Sequence, residues 1–167
     1  MTSPSKTKTV SAKTLLAKVL TVSDGVAEGT RQDASGEALL QRLAEAGFDV
    51  VDRAVTADGT SAVAGALRGM AAGFAGLIVT TGGTGFGPRD QTPEGTRLVL
   101  DREAPGLAEA MRLASPLGRL SRAAAGTIGQ ALVLNTPGST NGAVECLEAV
   151  LDVLPHALSL LAGDHPH

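Results

Sequence analysis

The residues of this chain best placed to do chemistry lie in one loop, residues 80–93, which reads TTGGTGFGPRDQTP. Gly82, Gly83, Gly85 and Gly87 free the backbone for positive φ angles and let a ligand reach the amides without meeting a Cβ atom. A peptide of that kind can aim several N–H groups at one anion. Thr80, Thr81 and Thr84 add hydroxyls, Arg89 adds a fixed positive charge, and Asp90 adds a carboxylate suited to a metal-bound phosphate. The chemistry implied is phosphate binding, with a divalent metal as an option. An ordinary surface turn needs one or two glycines, and four within six positions carry an entropic cost that such a turn does not require.

Two familiar phosphate loops are excluded. The P-loop needs Gly-Lys-Ser/Thr after its glycines, and no lysine stands there. The dinucleotide fingerprint needs GxGxxG, whereas Gly83, Gly85 and Gly87 alternate and are followed by Pro88.

The elements that must position this loop are read from apolar patterning. Residues 76–80 form a short apolar run of the buried-strand type, and residues 94–100 open a helix, with Thr92 expected as its N-cap and Pro93 at its first helical position. Upstream, residues 15–22 read as a buried strand closed by turn chemistry at Ser23, Asp24 and Gly25. Asp33 starts a helix bearing Leu39, Leu40 and Leu43, which Gly47 ends. Residues 48–56 suggest a second strand, and residues 58–61 a loop capping a helix with Val63, Leu67 and Met70. Downstream, residues 104–117 are expected to be helical, residues 123–129 carry no clear signal, and residues 131–134 form a short strand. Residues 135–139 then form a second polar loop, and residues 143–161 a last helical region that Pro155 kinks or splits.

Strands alternating with helices argue a single α/β domain with a mostly parallel sheet and helices on both faces, spanning residues 14–163. Residues 1–13, rich in Ser, Thr and Lys, are expected to be a disordered tail. In a parallel sheet the loops at residues 23–35, 58–61, 80–92 and 135–139 gather at one edge and make a pocket whose candidate acids are Asp24, Asp33, Asp58 and Asp90. Asp24 reads equally well as a turn residue and Asp33 better as a cap. Asp58 with Asp90 is the preferred metal pair, because magnesium is commonly held by one or two carboxylates plus substrate phosphates.

Composition narrows the function. The net charge is −3 and the arginines stand apart, so no nucleic-acid footprint appears. With Phe48, Phe74 and Phe86 as the only aromatics, no base-stacking platform can be built. No apolar stretch is long and uncharged enough to cross a membrane, and the polar start lacks the apolar core of a signal peptide. The single cysteine, Cys146, reads as core filler, which fits a reducing cytoplasm. His156, His165 and His167 stand at no defensible spacing from a nucleophile and are read as non-catalytic.

One ordered set of motifs goes further. It runs Val22-Ser23-Asp24; Asp33-x-Ser35-Gly36; Thr80-Thr81-Gly82-Gly83-Thr84-Gly85; Arg89-Asp90-x-Thr92-Pro93-Glu94; Pro105-Gly106-Leu107; Leu120-Ser121-Arg122; and Asn135-x-Pro137-Gly138-Ser139. This set resembles the Mog/MoaB family of molybdenum cofactor biosynthesis over residues 14–163. The resemblance implies a molybdopterin-binding α/β fold, a homotrimer, and binding of molybdopterin and Mg-ATP, with AMP transferred to the molybdopterin phosphate and pyrophosphate released. It implies that Asp58 and Asp90 are the essential aspartates, which hold Mg²⁺ or orient the pterin. It also implies that Ser23, Asp24, Thr81, Gly82, Gly83, Thr84, Gly85, Arg89, Ser121, Pro137, Gly138 and Ser139 contact the substrates, with a molybdenum insertase as partner. The chain departs from the family pattern at Thr136 and Thr140, which replace Leu and Pro, and at Gly25, where Arg or Thr often follows Ser-Asp. The rival readings are a MoaB-like paralogue or gephyrin-type scaffold that binds without fast transfer, and an unrelated nucleotide or sugar-phosphate enzyme.

Overall fold

The structure, a computed structural model, describes residues 13–165; all but the last residue of the expected N-terminal tail lies outside the described residues. A six-stranded sheet runs in the order β2-β1-β3-β6-β5-β4. Its strands are β1 (Leu15–Val22), β2 (Phe48–Thr56), β3 (Gly76–Thr81), β4 (Arg102–Glu103), β5 (Ala125–Ile128) and β6 (Ala131–Thr136). β2, β1, β3 and β6 are parallel, while β5 pairs antiparallel with β6 and β4 antiparallel with β5. The chain leaves β1 toward β2 on one side and returns as β3 on the other, so the switch of strand order falls between β1 and β3. Ligand crevices of open α/β sheets form at that point, outside the carboxyl ends of the strands.

Period-two alternation in the central strands builds two cores. Ala17, Val19, Leu77, Val79, Leu132 and Leu134 face one side and pack against α2 (Ala34–Glu45), α5 (Pro105–Arg112), α6 (Thr140–Glu148) and α7 (Leu154–Leu161). Leu20, Val22, Ile78 and Val133 face the other side, against Val63, Leu67 and Met70 of α3 (Thr60–Ala71). α4 (Thr92–Val99) lies on the α3 side, its Val99 packed on the same cluster. β3 and β6 are buried at every position, which is why they read as continuous apolar runs.

Several local expectations are corrected. Ser23 does not lead into a simple turn. Its Oγ accepts from the Val26 amide at 3.2 Å and caps a single helical turn, α1 (Asp24–Ala27). Asp33 caps α2 as expected, whereas Ala46 is the C-cap and Gly47, at φ +90°, is the residue after it. Gly59, at φ +114°, occupies the N-cap of α3, and the Asp58 carboxylate accepts from the Asp24 amide instead of capping the helix. Gln91 occupies the N-cap of α4, and Thr92, the first residue of that helix, turns its hydroxyl to the carbonyl of Gly82 at 2.8 Å.

The helix expected over residues 104–117 ends at Arg112, and Pro116–Leu120 forms a separate 3-10 turn. Pro116 has no amide to continue a helical ladder. The unassigned stretch at residues 123–129 contains β5, held by its antiparallel pairing rather than by local propensity. Asn135 and Thr136 complete β6 instead of opening a loop. The last helical region divides into α6, a 3-10 turn (Leu151–Val153) and α7, with Pro155 in the first turn of α7, where a missing amide is harmless.

Candidate functional site

A cavity of about 1000 Å³ opens at the carboxyl ends of β1, β2, β3 and β6. Its floor is the glycine loop after β3. Gly82 (φ +102°) and Gly83 (φ +68°) take the left-handed region, and a Cβ on Gly82 would overlap the Val22 carbonyl. Here glycine is required by conformation and by close approach together.

The hydrogen bonds of this loop have one sense. The carbonyls of Gly82, Gly83, Thr84 and Gly85 each accept from the protein: from Thr92 Oγ1 (2.8 Å), Thr92 N (3.0 Å), Arg122 N (2.9 Å) and Arg122 Nε (2.9 Å) respectively. The Gly82 amide donates to the Thr136 carbonyl at 3.1 Å. The amides of Gly83, Thr84 and Gly85 donate to no described residue. Three unpaired N–H groups therefore stand in the wall of the cavity, in an arrangement suited to an anion.

Arg122 is the clamp behind the loop. Beside its contacts with Thr84 and Gly85, its Nη2 donates to the Asp90 carbonyl at 2.7 Å and its Nη1 pairs with Glu94. Burial would raise the Glu94 carboxyl, but Arg122, a backbone hydrogen bond and the charge of Arg97 together outweigh it and hold the group below its ordinary value of 4.5.

Asp90 and Asp58 reach the cavity from opposite ends of the loop. Asp90 Oδ2 accepts from the Gly87 amide at 2.9 Å and bends the tip over itself. Asp58 Oδ1 lies 3.2 Å from where a Cβ on Gly83 would stand, and its Oδ2 accepts from the Asp24 amide at 2.9 Å. Each carboxylate keeps one oxygen, Oδ1 in both cases, without a hydrogen bond to any described residue. Among the described residues no group of three or more His, Cys, Asp or Glu side chains could hold a metal by itself.

Asp24 and Asp58 exchange bonds, since the Asp58 amide donates to Asp24 Oδ1 at 3.0 Å. Arg89 closes this brace, donating through Nε to Asp24 Oδ2 (3.0 Å) and through Nη2 to Asp24 Oδ1 (3.1 Å) and the Asp58 carbonyl (3.0 Å). Arg89 thereby holds the Asp24 carboxyl below its ordinary value of 3.8.

Of the residues singled out by sequence, Ser23, Asp58, Thr81, Gly82, Gly83, Thr84, Gly85, Asp90, Ser121, Pro137, Gly138 and Ser139 line this cavity. Asp24 and Arg89 do not; they face each other and tie the loops together from behind. Thr81 is fastened by hydrogen bonds to Ser35 (2.9 Å) and the Pro137 carbonyl (2.8 Å), and Ser139 caps α6 through the Gly142 amide. Asp33 also reaches the wall, but its carboxylate caps α2, accepts from Thr21 and pairs with Arg53 at 2.9 Å. Sequence reading missed Arg31 and the 3-10 turn bearing Leu117 and Leu120, all of which line the cavity. Arg31 had no motif to mark it; for the turn the cues were Leu120 at the head of the Leu120-Ser121-Arg122 motif and Pro116, which argues against a helix running through it. Cys146 lies at the cavity margin, and burial pushes its thiol up to about 11, as expected of core filler rather than a nucleophile.

Comparison with known proteins gives a consistent picture. Residues 18–156 match the family described as "Probable molybdopterin binding domain". A molybdopterin adenylyltransferase of Helicobacter pylori (strain J99) is 36% identical over 154 residues, which make up 88% of each chain. A molybdenum cofactor biosynthesis bifunctional protein of Chlorobaculum tepidum is 35% identical over 150 residues, 87% of this chain and 48% of that one. Among solved structures, the molybdopterin biosynthesis enzyme MoaB of Thermus thermophilus is 49% identical with a TM-score of 0.84, over 90% of this chain and 98% of the other.

Proposed function

Because the chain belongs to the family of probable molybdopterin binding domains, we propose that it is a molybdopterin adenylyltransferase of molybdenum cofactor biosynthesis. In this reading it binds molybdopterin and Mg-ATP and transfers AMP to the molybdopterin phosphate. An oxygen of that phosphate bonds to the α-phosphorus of ATP, the bond from that phosphorus to the bridging oxygen breaks, and pyrophosphate leaves. No general base is needed, since the nucleophile is already ionised.

The observation that carries this reading is the polarity of the glycine loop, with its carbonyls tied to the protein and the amides of Gly83, Thr84 and Gly85 left unpaired in the cavity wall. Preorganised donors of this kind stabilise charge developing on phosphoryl oxygens. Asp58 and Asp90 fit a magnesium ion that is bound largely through its substrate, because each offers one uncommitted oxygen and no third carboxylate joins them. When bound, the ion supplies charge neutralisation to the phosphates. Asp24 and Arg89 act from behind as a brace that orients Asp58, while Ser23, Thr81, Ser121, Pro137, Gly138 and Ser139 shape the pterin and nucleotide walls.

A second reading is favoured by one observation: identity to the MoaB structure, 49%, exceeds identity to the named adenylyltransferase, 36%. In that reading the chain binds molybdopterin without efficient transfer. Pyrophosphate release that requires both molybdopterin and Mg-ATP separates the two; pterin binding without pyrophosphate supports the second.

Assembly and partners follow the same family expectation. A homotrimer is supported by large apolar side chains left in solvent, Leu113 at 78%, Leu117 at 76% and Phe86 at 72% exposure, and is tested by light scattering. A molybdenum insertase as partner is supported by relatives called bifunctional, in which the matching segment is about half of the chain. No helix among the described residues is long and apolar enough to cross a membrane, and a cytoplasmic setting accords with the one free thiol.

A further inference from the structure

The cavity wall is acidic. Asp58, Asp90 and Glu145 line it without an ion pair to any described residue, and Asp33 beside them is already matched by Arg53. ATP and a pterin phosphate are polyanions, so such a wall opposes them unless positive charge meets them there. One magnesium ion offsets only part of this excess.

The arginines that the motifs draw attention to are not available. Arg89 is bound to Asp24 and to the Asp58 carbonyl, and Arg122 to Gly85, Asp90 and Glu94. Among the described residues Arg31 is the sole lysine or arginine that lines the cavity, and its guanidinium makes no hydrogen bond or ion pair with any of them.

Its place is set by its stem and backbone. The amides of Thr30 and Arg31 both donate to the Gly25 carbonyl, at 2.9 and 3.1 Å, and Thr30 Oγ1 adds a third bond at 3.2 Å. The chain thus folds back over α1, and the arginine stem crosses the face of Gly25. A Cβ at that position would stand 2.7 Å from Arg31 Cδ and 2.9 Å from Cγ. The glycine after Ser23-Asp24 and the arginine six residues later are one feature, in which the first makes room for the second.

We propose that Arg31 is a substrate-binding residue that holds phosphoryl oxygens of the nucleotide in this cavity, seated there by Gly25. The adenylyltransferase reading supplies only the identity of the polyanion. A guanidinium suits the task because its fork matches two phosphoryl oxygens at once and stays charged at any working pH.

The test is calorimetric binding of Mg-ATP at low and moderate salt, with steady-state adenylyl transfer alongside. It compares the wild type with Arg31→Gln, Arg31→Lys and Gly25→Ala, and with Arg68→Gln as a control at an arginine that does not line the cavity. Arg31→Gln is expected to raise the Kd for Mg-ATP about tenfold or more and to flatten its salt dependence. Arg31→Lys loses less, Gly25→Ala loses affinity by displacing the stem, and Arg68→Gln binds as the wild type does. In turnover the KM for ATP rises and kcat falls by a smaller factor, a split that a general loss of structure would not give. Arg31→Gln protein that melts like the wild type and binds Mg-ATP within about twofold of it would overturn the proposal. Wild type that binds Mg-ATP with this Arg31 dependence but makes no adenylylated pterin would refute the adenylyltransferase reading and leave Arg31 standing. Wild type that fails to bind Mg-ATP would refute both.

Discussion

Arg122 Nε donates to the Gly85 carbonyl at 2.9 Å across 37 positions of sequence, and this bond fastens the far end of the glycine loop. The amides of Gly83, Thr84 and Gly85 share their peptide planes with the carbonyls of Gly82, Gly83 and Thr84, which Thr92 and the Arg122 amide hold, and they have no partner among the described residues. Replacing Arg122 by Ala removes two carbonyl contacts and the Glu94 pair together. The expected stability loss is about 2–4 kcal/mol. The expected loss in kcat/KM is larger in proportion, about 100-fold, because misplacing a donor set by about an ångström weakens every contact it makes with the transition state. Chemical denaturation beside steady-state kinetics checks both figures, and Arg122→Lys, which keeps the charge but not the fork, is expected to rescue stability more than activity.

The brace between Asp24 and Asp58 carries a pH dependence whose sign follows from Asp24. Its folded-state pKa lies below the ordinary 3.8, chiefly through the hydrogen bond from Arg89. The brace is therefore complete above the unfolded value and is lost as pH falls through the lower folded one. The protection of the amides around Asp58, taken relative to their intrinsic exchange, is expected to be high at neutral pH and to fall only as pH drops below the ordinary 3.8 in the wild type. In Asp24→Asn the same amides are expected to exchange faster at neutral pH and with a weaker acid response.

Asn135 is fully buried and joins three elements. Its Oδ1 accepts from the Ala124 amide at 3.0 Å, and its Nδ2 donates to Thr80 Oγ1 and Thr96 Oγ1, both at 3.0 Å. Asn135→Ala leaves those groups without partners in a region closed to water. A loss of about 3 kcal/mol is expected in urea or thermal unfolding. Asn135→Leu should do no better, because filling the space does not restore the bonds.

The Cys146 thiol is expected to be inert. With its titration pushed up to about 11 by burial, very little thiolate exists at neutral pH, so a disulfide reagent should modify the native protein far more slowly than the unfolded one. Native labelling at the rate of a free thiol would show that this part of the cavity opens readily.

Much of this arrangement was legible in the sequence because its signals are local. The apolar patterns of β1 and β2 gave their limits, Leu15–Val22 and Phe48–Thr56, and the glycine block announced a loop at the end of β3. Convergence of the loops followed from a parallel sheet. What failed depended on partners distant in sequence. Arg89 reads as a ligand for phosphate beside its glycines, and its pairing with Asp24, 65 positions earlier, carried no signal in the sequence. Asn135 looked like a loop residue because an amide side chain is unusual in a buried strand, and only Ala124, Thr80 and Thr96 make it stable there. β5 has no apolar run of its own and exists through its pairing with β6. Arg31 carries no motif, and its importance emerges only once the other arginines are seen to be engaged.

The most direct test is a single-turnover reaction of the protein with molybdopterin and Mg-ATP, followed by mass detection of adenylylated molybdopterin, beside Asp58→Asn and Asp90→Asn. The wild type is expected to form that product with one pyrophosphate for each, and both variants to lose it by about 100-fold or more while keeping their fold by circular dichroism. Tight binding of molybdopterin with no adenylylated product from the wild type would contradict the account and leave a carrier of the pterin.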